Sequence, residues 1–159
     1  MNFDRNLLSE YKELLQTTNL RKGYQEFIKL FRYIRVSLEK NMSEYKFQGN
    51  IVENGMDYSY FLFTSESLKE KGLKIAIVFV HSNFQFEVWL SGYNRNYQLK
   101  YYDLLKGKNI PFQLTDNPAR KDYILRVVLE ENVDISDADL LTERIQNISD
   151  DLLMFAETL

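Results

Sequence analysis

No cysteine occurs anywhere in the chain, and that absence excludes disulfides, zinc–thiolate sites, iron–sulfur ligation and thiol catalysis together. Histidine is nearly as scarce. The single one, His81, means that any transition-metal site would be built mostly from carboxylates. A serine–histidine triad would have only His81 as its base, and no serine has a nucleophile context. There is no glycine-rich phosphate loop, G-x-S-x-G elbow, H-E-x-x-H or calcium loop. Neither a metal nor a cofactor is expected. Two prolines and six glycines in 159 residues are too few for a disordered or linker-rich chain. No window approaches the roughly 18 consecutive apolar residues of a membrane-spanning helix. The N-terminal MNFDRNLLSEYKELL carries charge in its first turn and has no apolar signal-peptide region. A cytoplasmic protein without membrane association is the expectation.

What is present describes one domain. The 159 residues, 45% hydrophobic and 14% aromatic, are enough to bury a core without metal or disulfide staples, so residues 1–159 are read as a single globular unit. Net charge is −3, but unevenly placed. Residues 130–159 hold nine acids and one arginine, a balance of −8, which leaves +5 on the rest. That split describes two solvated surfaces of opposite sign, or a basic face for an anionic partner.

Hydrophobic spacing places the elements. Leu7, Leu8, Tyr11, Leu14 and Leu15 predict a helix over 4–16 capped by Asp4. A longer basic helix over about 20–40 has the stripe Leu20, Tyr24, Phe27, Ile28, Phe31, Ile34, Leu38. From Tyr45 the period becomes two, and Asn54-Gly55 predicts a hairpin turn into the aromatic strand Asp57–Thr64. Ser65 caps a single helical turn that Gly72 ends. Ile75–Val80 is six apolar residues in a row, four of them β-branched, and reads as a strand buried on both faces. After His81-Ser82-Asn83, Phe84, Phe86, Val88 and Leu90 alternate with Gln85, Glu87, Trp89 and Ser91. A helix with Tyr97, Tyr101, Leu104 and Leu105 in its stripe follows. Then come a loop over 107–119 with room for an edge strand, a strand over 122–130, and a terminal helix opened by a capping box at Ser136. The order α-α-β-β-(α)-β-β-α-β-α predicts an α+β fold, a mainly antiparallel sheet of about five strands with four main helices.

The functional candidates gather on the strand pair around Trp89. Glu87 and Trp89 share one face of their strand. An open face would set an exposed tryptophan beside a carboxylate, a binding spot for a protein or small-molecule partner. Four substantial helices favour a sheet covered on both sides, with Trp89 centring a second core and Glu87 paired to an arginine or tyrosine. Asp57, Tyr58 and Tyr60 on the preceding strand go with that face, unless Asp57 simply serves the hairpin turn, and His81 is a proton-transfer residue or ligand anchor, or a polar strand-end residue whose imidazole bonds the turn. Arg95, with Lys100, Tyr97, Tyr101 and Tyr102, combines charge with rings. Hence the leading expectation is a non-enzymatic binding module using Asp57, Tyr58, Tyr60, His81, Glu87, Trp89 and Arg95. The alternative is a metal-dependent nuclease-like enzyme or a nucleic-acid-binding protein using Asp57, Glu87, His81 and the basic second helix. Nuclease folds of that kind carry a lysine two residues after the second acid; here that position is Trp89. The residues leave open the ligand, the partner and the oligomeric state.

Two stretches, MDYSYFLF (Met56 to Phe63) and KIAIVFVHSNFQFEVWLSGYNRNYQLKYYDLL (Lys74 to Leu105), resemble a family of small uncharacterised bacterial proteins, a domain of unknown function. VDISDADLLTERI near the end extends the likeness. The resemblance implies one complete domain and a bacterial-type cytosolic protein, and it brings no activity or catalytic residue.

Overall fold

The computed structural model of the chain, which describes residues 1–130 and 132–159, has five helices and six strands among those residues. They are α1 (Arg5–Thr17), α2 (Leu20–Asn41), β1 (Lys46–Asn54), β2 (Tyr58–Thr64), α3 (Glu66–Glu70), β3 (Leu73–Val80), β4 (Gln85–Gly92), α4 (Arg95–Leu105), β5 (Gln113–Leu114), β6 (Leu125–Val128) and α5 (Ala138–Ala156). The strands form one antiparallel sheet in the order β1-β2-β3-β4-β6-β5. This is the α+β fold the spacing predicts, with six strands rather than about five. The extra strand is the two-residue edge β5 in the proline-bounded loop.

The β3 run occupies the sheet's middle because it can be dry on both sides, and its alternation splits the fold in two. Ile75, Ile77 and Phe79 point one way, with Phe61 and Phe63 of β2 and Phe86, Val88 and Leu90 of β4. Against them pack Phe31, Ile34 and Leu38 of α2, Tyr101 and Leu105 of α4, and Leu141, Ile145 and Leu152 of α5. Each such side chain, fully buried, contributes about 1.5–3 kcal/mol of transfer free energy. On the other side Ala76, Val78 and Val80 form a separate small cluster with Tyr60, Leu62 and Trp89, and no helix residue among those described joins it. The expectation of helices on both faces is therefore wrong. The helix stripes all face one side, and α1, whose Leu7, Leu8 and Tyr11 are 62%, 58% and 54% exposed, has no buried residue.

Local corrections have local causes. The β1–β2 hairpin places its left-handed backbone at Gly55 and Met56 (φ 56° and 65°) rather than at Asn54 and Gly55, with the Asp57 N–H donating to the Asn54 carbonyl. Phe84 does not begin β4. It takes a left-handed φ of 51° to close the turn, its N–H donating to the His81 carbonyl, and is left 65% exposed. The cap of α5 is Asp137, whose carboxylate accepts from the Leu140 N–H, because the Ser136 hydroxyl is already bonded to Asp134. In α4, Gln98 rather than Leu104 completes the buried stripe.

Candidate functional site

The strand registers bring the helix-free side chains into rows. Tyr60, Val78, Glu87 and Val128 lie across β2, β3, β4 and β6, and the next row is Leu62, Ala76, Trp89 and Arg126. Antiparallel neighbours directly opposite are close enough for side-chain contact, so this register is what assembles the site.

A cavity of about 660 Å³ opens on this face, within the range of about 300–1,000 Å³ of small-molecule sites. Ala76, Val78 and Val80 make its floor, and Tyr58, Tyr60, Trp89 and Tyr123 its aromatic wall. Trp89 sits between two tyrosines, with ring centroids 5.9 Å from Tyr58 and 5.2 Å from Tyr123. Both separations are those of favourable aromatic pairs.

Glu87 is only 1% exposed, and its carboxylate is held by three donors. The Trp89 indole N–H donates to Oε1 at 3.2 Å, the Arg126 guanidinium to the same oxygen at 3.2 Å, and the Gln85 amide to Oε2 at 3.5 Å. Arg126 also lies over the Tyr123 ring, 5.3 Å from its centroid. A buried carboxylate needs such compensation. The arginine partner expected for a covered face is thus present on a face that no helix covers. Glu87 fixes the indole ring and the guanidinium, so its lone pairs serve the wall of the cavity.

Arg95 shapes the rim. Its guanidinium donates to the carbonyls of Pro118 (3.2 Å) and Lys121 and to the Asp122 carboxylate at 2.7 Å. Gln98 adds a bond to the Lys121 carbonyl at 3.1 Å, and its own side-chain oxygen accepts from the Gly92 N–H. These contacts tie the loop around 117–122 to the first turn of α4. Gly92 is required there, since a Cβ would lie 2.8 Å from the Gln98 backbone nitrogen. Tyr93 reaches the cavity as well, with the Lys74 ammonium 5.6 Å from its ring centroid and a buried hydroxyl that has no hydrogen-bond partner among the described residues.

Of the expected site residues, Tyr58, Tyr60, Glu87, Trp89 and Arg95 line this one cavity, and Asp57 and His81 do not. His81 is on the helix side of the sheet, its Nε2 2.8 Å from the Ser59 hydroxyl and its ring against Tyr24, Phe27 and Phe79. Burial lowers its pKa from 6.5, opposed by the nearby Asp57 charge. Asp57 is exposed, and its carbonyl accepts the His81 N–H at 3.1 Å. Among the described residues no three His, Asp or Glu side chains gather as a metal site. The tyrosines of α4 are largely committed to packing: Tyr101 is buried and donates to the Lys71 carbonyl at 2.6 Å, while the Tyr97 ring fills the space beside Gly72.

Sequence reading missed Lys74, Tyr93, Arg120, Tyr123 and Arg126. Arg126 left a signal, as the one charge inside the apolar run YILRVVL. Only the β4–β6 register, which sets it opposite Trp89, gives that signal a place.

No helix among the described residues is long and apolar enough to cross a membrane. No curated protein and no solved structure matches the chain. A family model matches residues 4–158, nearly the whole length and including every residue of the cavity, and the chain accordingly belongs to the family described as domain of unknown function DUF7000.

Proposed function

We propose that this chain is a non-enzymatic binding module whose site is the aromatic cavity on the helix-free sheet face. One observation carries the reading: Ala76, Val78 and Val80 are nearly dry although no second layer covers them, and they form the floor of a cavity of about 660 Å³. A concave apolar floor ringed by a few fixed polar groups is the usual make-up of a small-molecule site. The wall is held in place before any ligand arrives, because Glu87 anchors Trp89 and Arg126, and Arg95 anchors the loop. Preorganisation of this kind reduces the entropy lost on binding.

The same geometry speaks against acid–base work. Glu87 is engaged by three donors, His81 faces the opposite side of the sheet, and Asp57 is exposed outside the cavity. Proton transfer needs its groups within reach of one substrate.

Trp89, the only tryptophan, reports on the face directly. Acrylamide should quench its fluorescence in the folded chain. Small aromatic fragments screened by NMR on isotope-labelled protein should move signals of Tyr58, Tyr60, Trp89 and Tyr123 ahead of those of Phe61 and Ile77. A blue-shifted, unquenchable tryptophan, or fragment shifts confined to the helix side, would overturn the reading.

A further inference from the structure

The charge around the cavity narrows what it can hold. Five cations line it, Lys74, Arg95, Arg120, Lys121 and Arg126, against two carboxylates, Glu87 and Asp122. Both acids are already neutralised by arginine, Glu87 by Arg126 at 3.2 Å and Asp122 by Arg95 at 2.7 Å. Lys74, Arg120 and Lys121 make no ion pair among the described residues. This excess of positive charge stands on a chain whose net charge is −3, so it is a property of the place and not of the composition. Lys74 also lies beside the Tyr93 ring, and the Tyr93 hydroxyl is buried with no partner among the described residues. A buried hydroxyl with no bond in a native fold marks a group that an unseen water or ligand satisfies.

Shape adds the second condition. The wall sets Trp89 between Tyr58, which meets it edge-on, and the tilted ring of Tyr123, over a floor of small side chains. Flat rings stacked or edged against such a wall gain energy beyond their buried area.

Building on the binding-module reading above, we infer that the cavity takes a planar, conjugated organic anion: a flat ring system against Trp89 whose acidic group meets Lys74, Arg120 and Lys121. Carboxylates, sulfonates and phosphates share that chemistry. Three cations at the rim favour an acid over its neutral counterpart, since opposite charges at close range attract even where water screens them.

Two dyes with the same rings test this on the full chain. Anilinonaphthalene sulfonate carries the acid, and phenylnaphthylamine lacks it. Energy transfer from Trp89 reads the binding of each. The sulfonate should bind about tenfold more tightly than the neutral dye, and added salt should narrow the gap. Lys74→Gln combined with Arg120→Gln should weaken the sulfonate roughly fivefold and leave the neutral dye unchanged. Naphthoate and naphthyl phosphate as competitors then separate a carboxylate from a phosphate preference. Equal affinity for both dyes, or indifference to the two substitutions, would overturn the anion assignment while leaving the cavity as a site for neutral ligands. Failure of both dyes to draw energy from Trp89 would overturn the binding module itself. If the double variant loses its native circular dichroism, Lys121→Gln alone, on an exposed loop residue, carries the same comparison.

Discussion

Ile77 and Val78 are adjacent in the chain, 0% and 1% exposed, and held between the same two strands. They differ in what keeps them dry. Ile77 belongs to a core that includes side chains from α2, α4 and α5. Val78 is shielded by side chains of its own sheet, Tyr60, Leu62 and Trp89. Burial is therefore not the same as coverage. A layer of helices is built for stability, because removing it exposes the whole core. A rim of aromatic side chains over small floor residues leaves room above it, and that room is where a ligand fits.

The largest expected contrast between the faces comes from removing one ring on each. Phe61→Ala on the helix side should cost about 3–5 kcal/mol, the range for a large core side chain that leaves a cavity. Trp89→Phe on the other side should cost about 1.5–3 kcal/mol, chiefly the indole N–H bond to the buried Glu87 carboxylate, because the smaller ring faces space that is already open. Urea unfolding followed by circular dichroism measures both. Equal losses would make the helix-free face a second core.

A smaller effect tests how that face is fixed. Arg126→Met removes the guanidinium from Glu87 and leaves a carboxylate that is 1% exposed with only Trp89 and Gln85 as donors. The expected loss is about 1.5–3 kcal/mol, the range for a hydrogen bond to a charged group. Adding Glu87→Gln to that variant should return part of it, since the buried charge is then gone. Strictly additive losses in the double-mutant cycle would show that the two residues do not act as a pair.

The smallest effect lies on the helix side and depends on pH. Burial holds the folded-state pKa of His81 below its ordinary 6.5. The unfolded chain therefore takes up the proton first as pH falls. The stabilising contribution is complete above the unfolded value and is lost as pH drops from about 6.5 toward the lower folded value. His81→Gln should flatten the urea midpoint across that window while leaving dye binding on the opposite face unchanged. An unaltered slope would mean that His81 is not the titrating group.

Much of this architecture is legible one segment at a time. Asp4, Ser65 and Asn94 each accept a bond from the backbone N–H three residues on, as cap residues do. Gly72 and Gly107 stand at positive φ where their helices end. The alternation of β4 did set Glu87 and Trp89 on one face, because a strand's period of two leaves no other arrangement. The candidate site was only partly legible. His81 is near Glu87 in the chain, yet strand parity and the turn at Phe84 send the two to opposite faces. Arg126 and Tyr123 are far from Trp89 in sequence and meet it only through the β4–β6 pairing.

By itself the sequence determined the main elements, the caps of α1, α3 and α4 and the two-sided pattern of β3, since each depends on residues a few positions apart. Only the tertiary structure decided that the helices would crowd onto one side of the sheet. Amphipathic stripes specify that a face must be buried, but not against which side of a strand that is apolar on both. That choice left Trp89 on the side without helices, and with it the cavity, its arginine-held carboxylate and its unpaired cations.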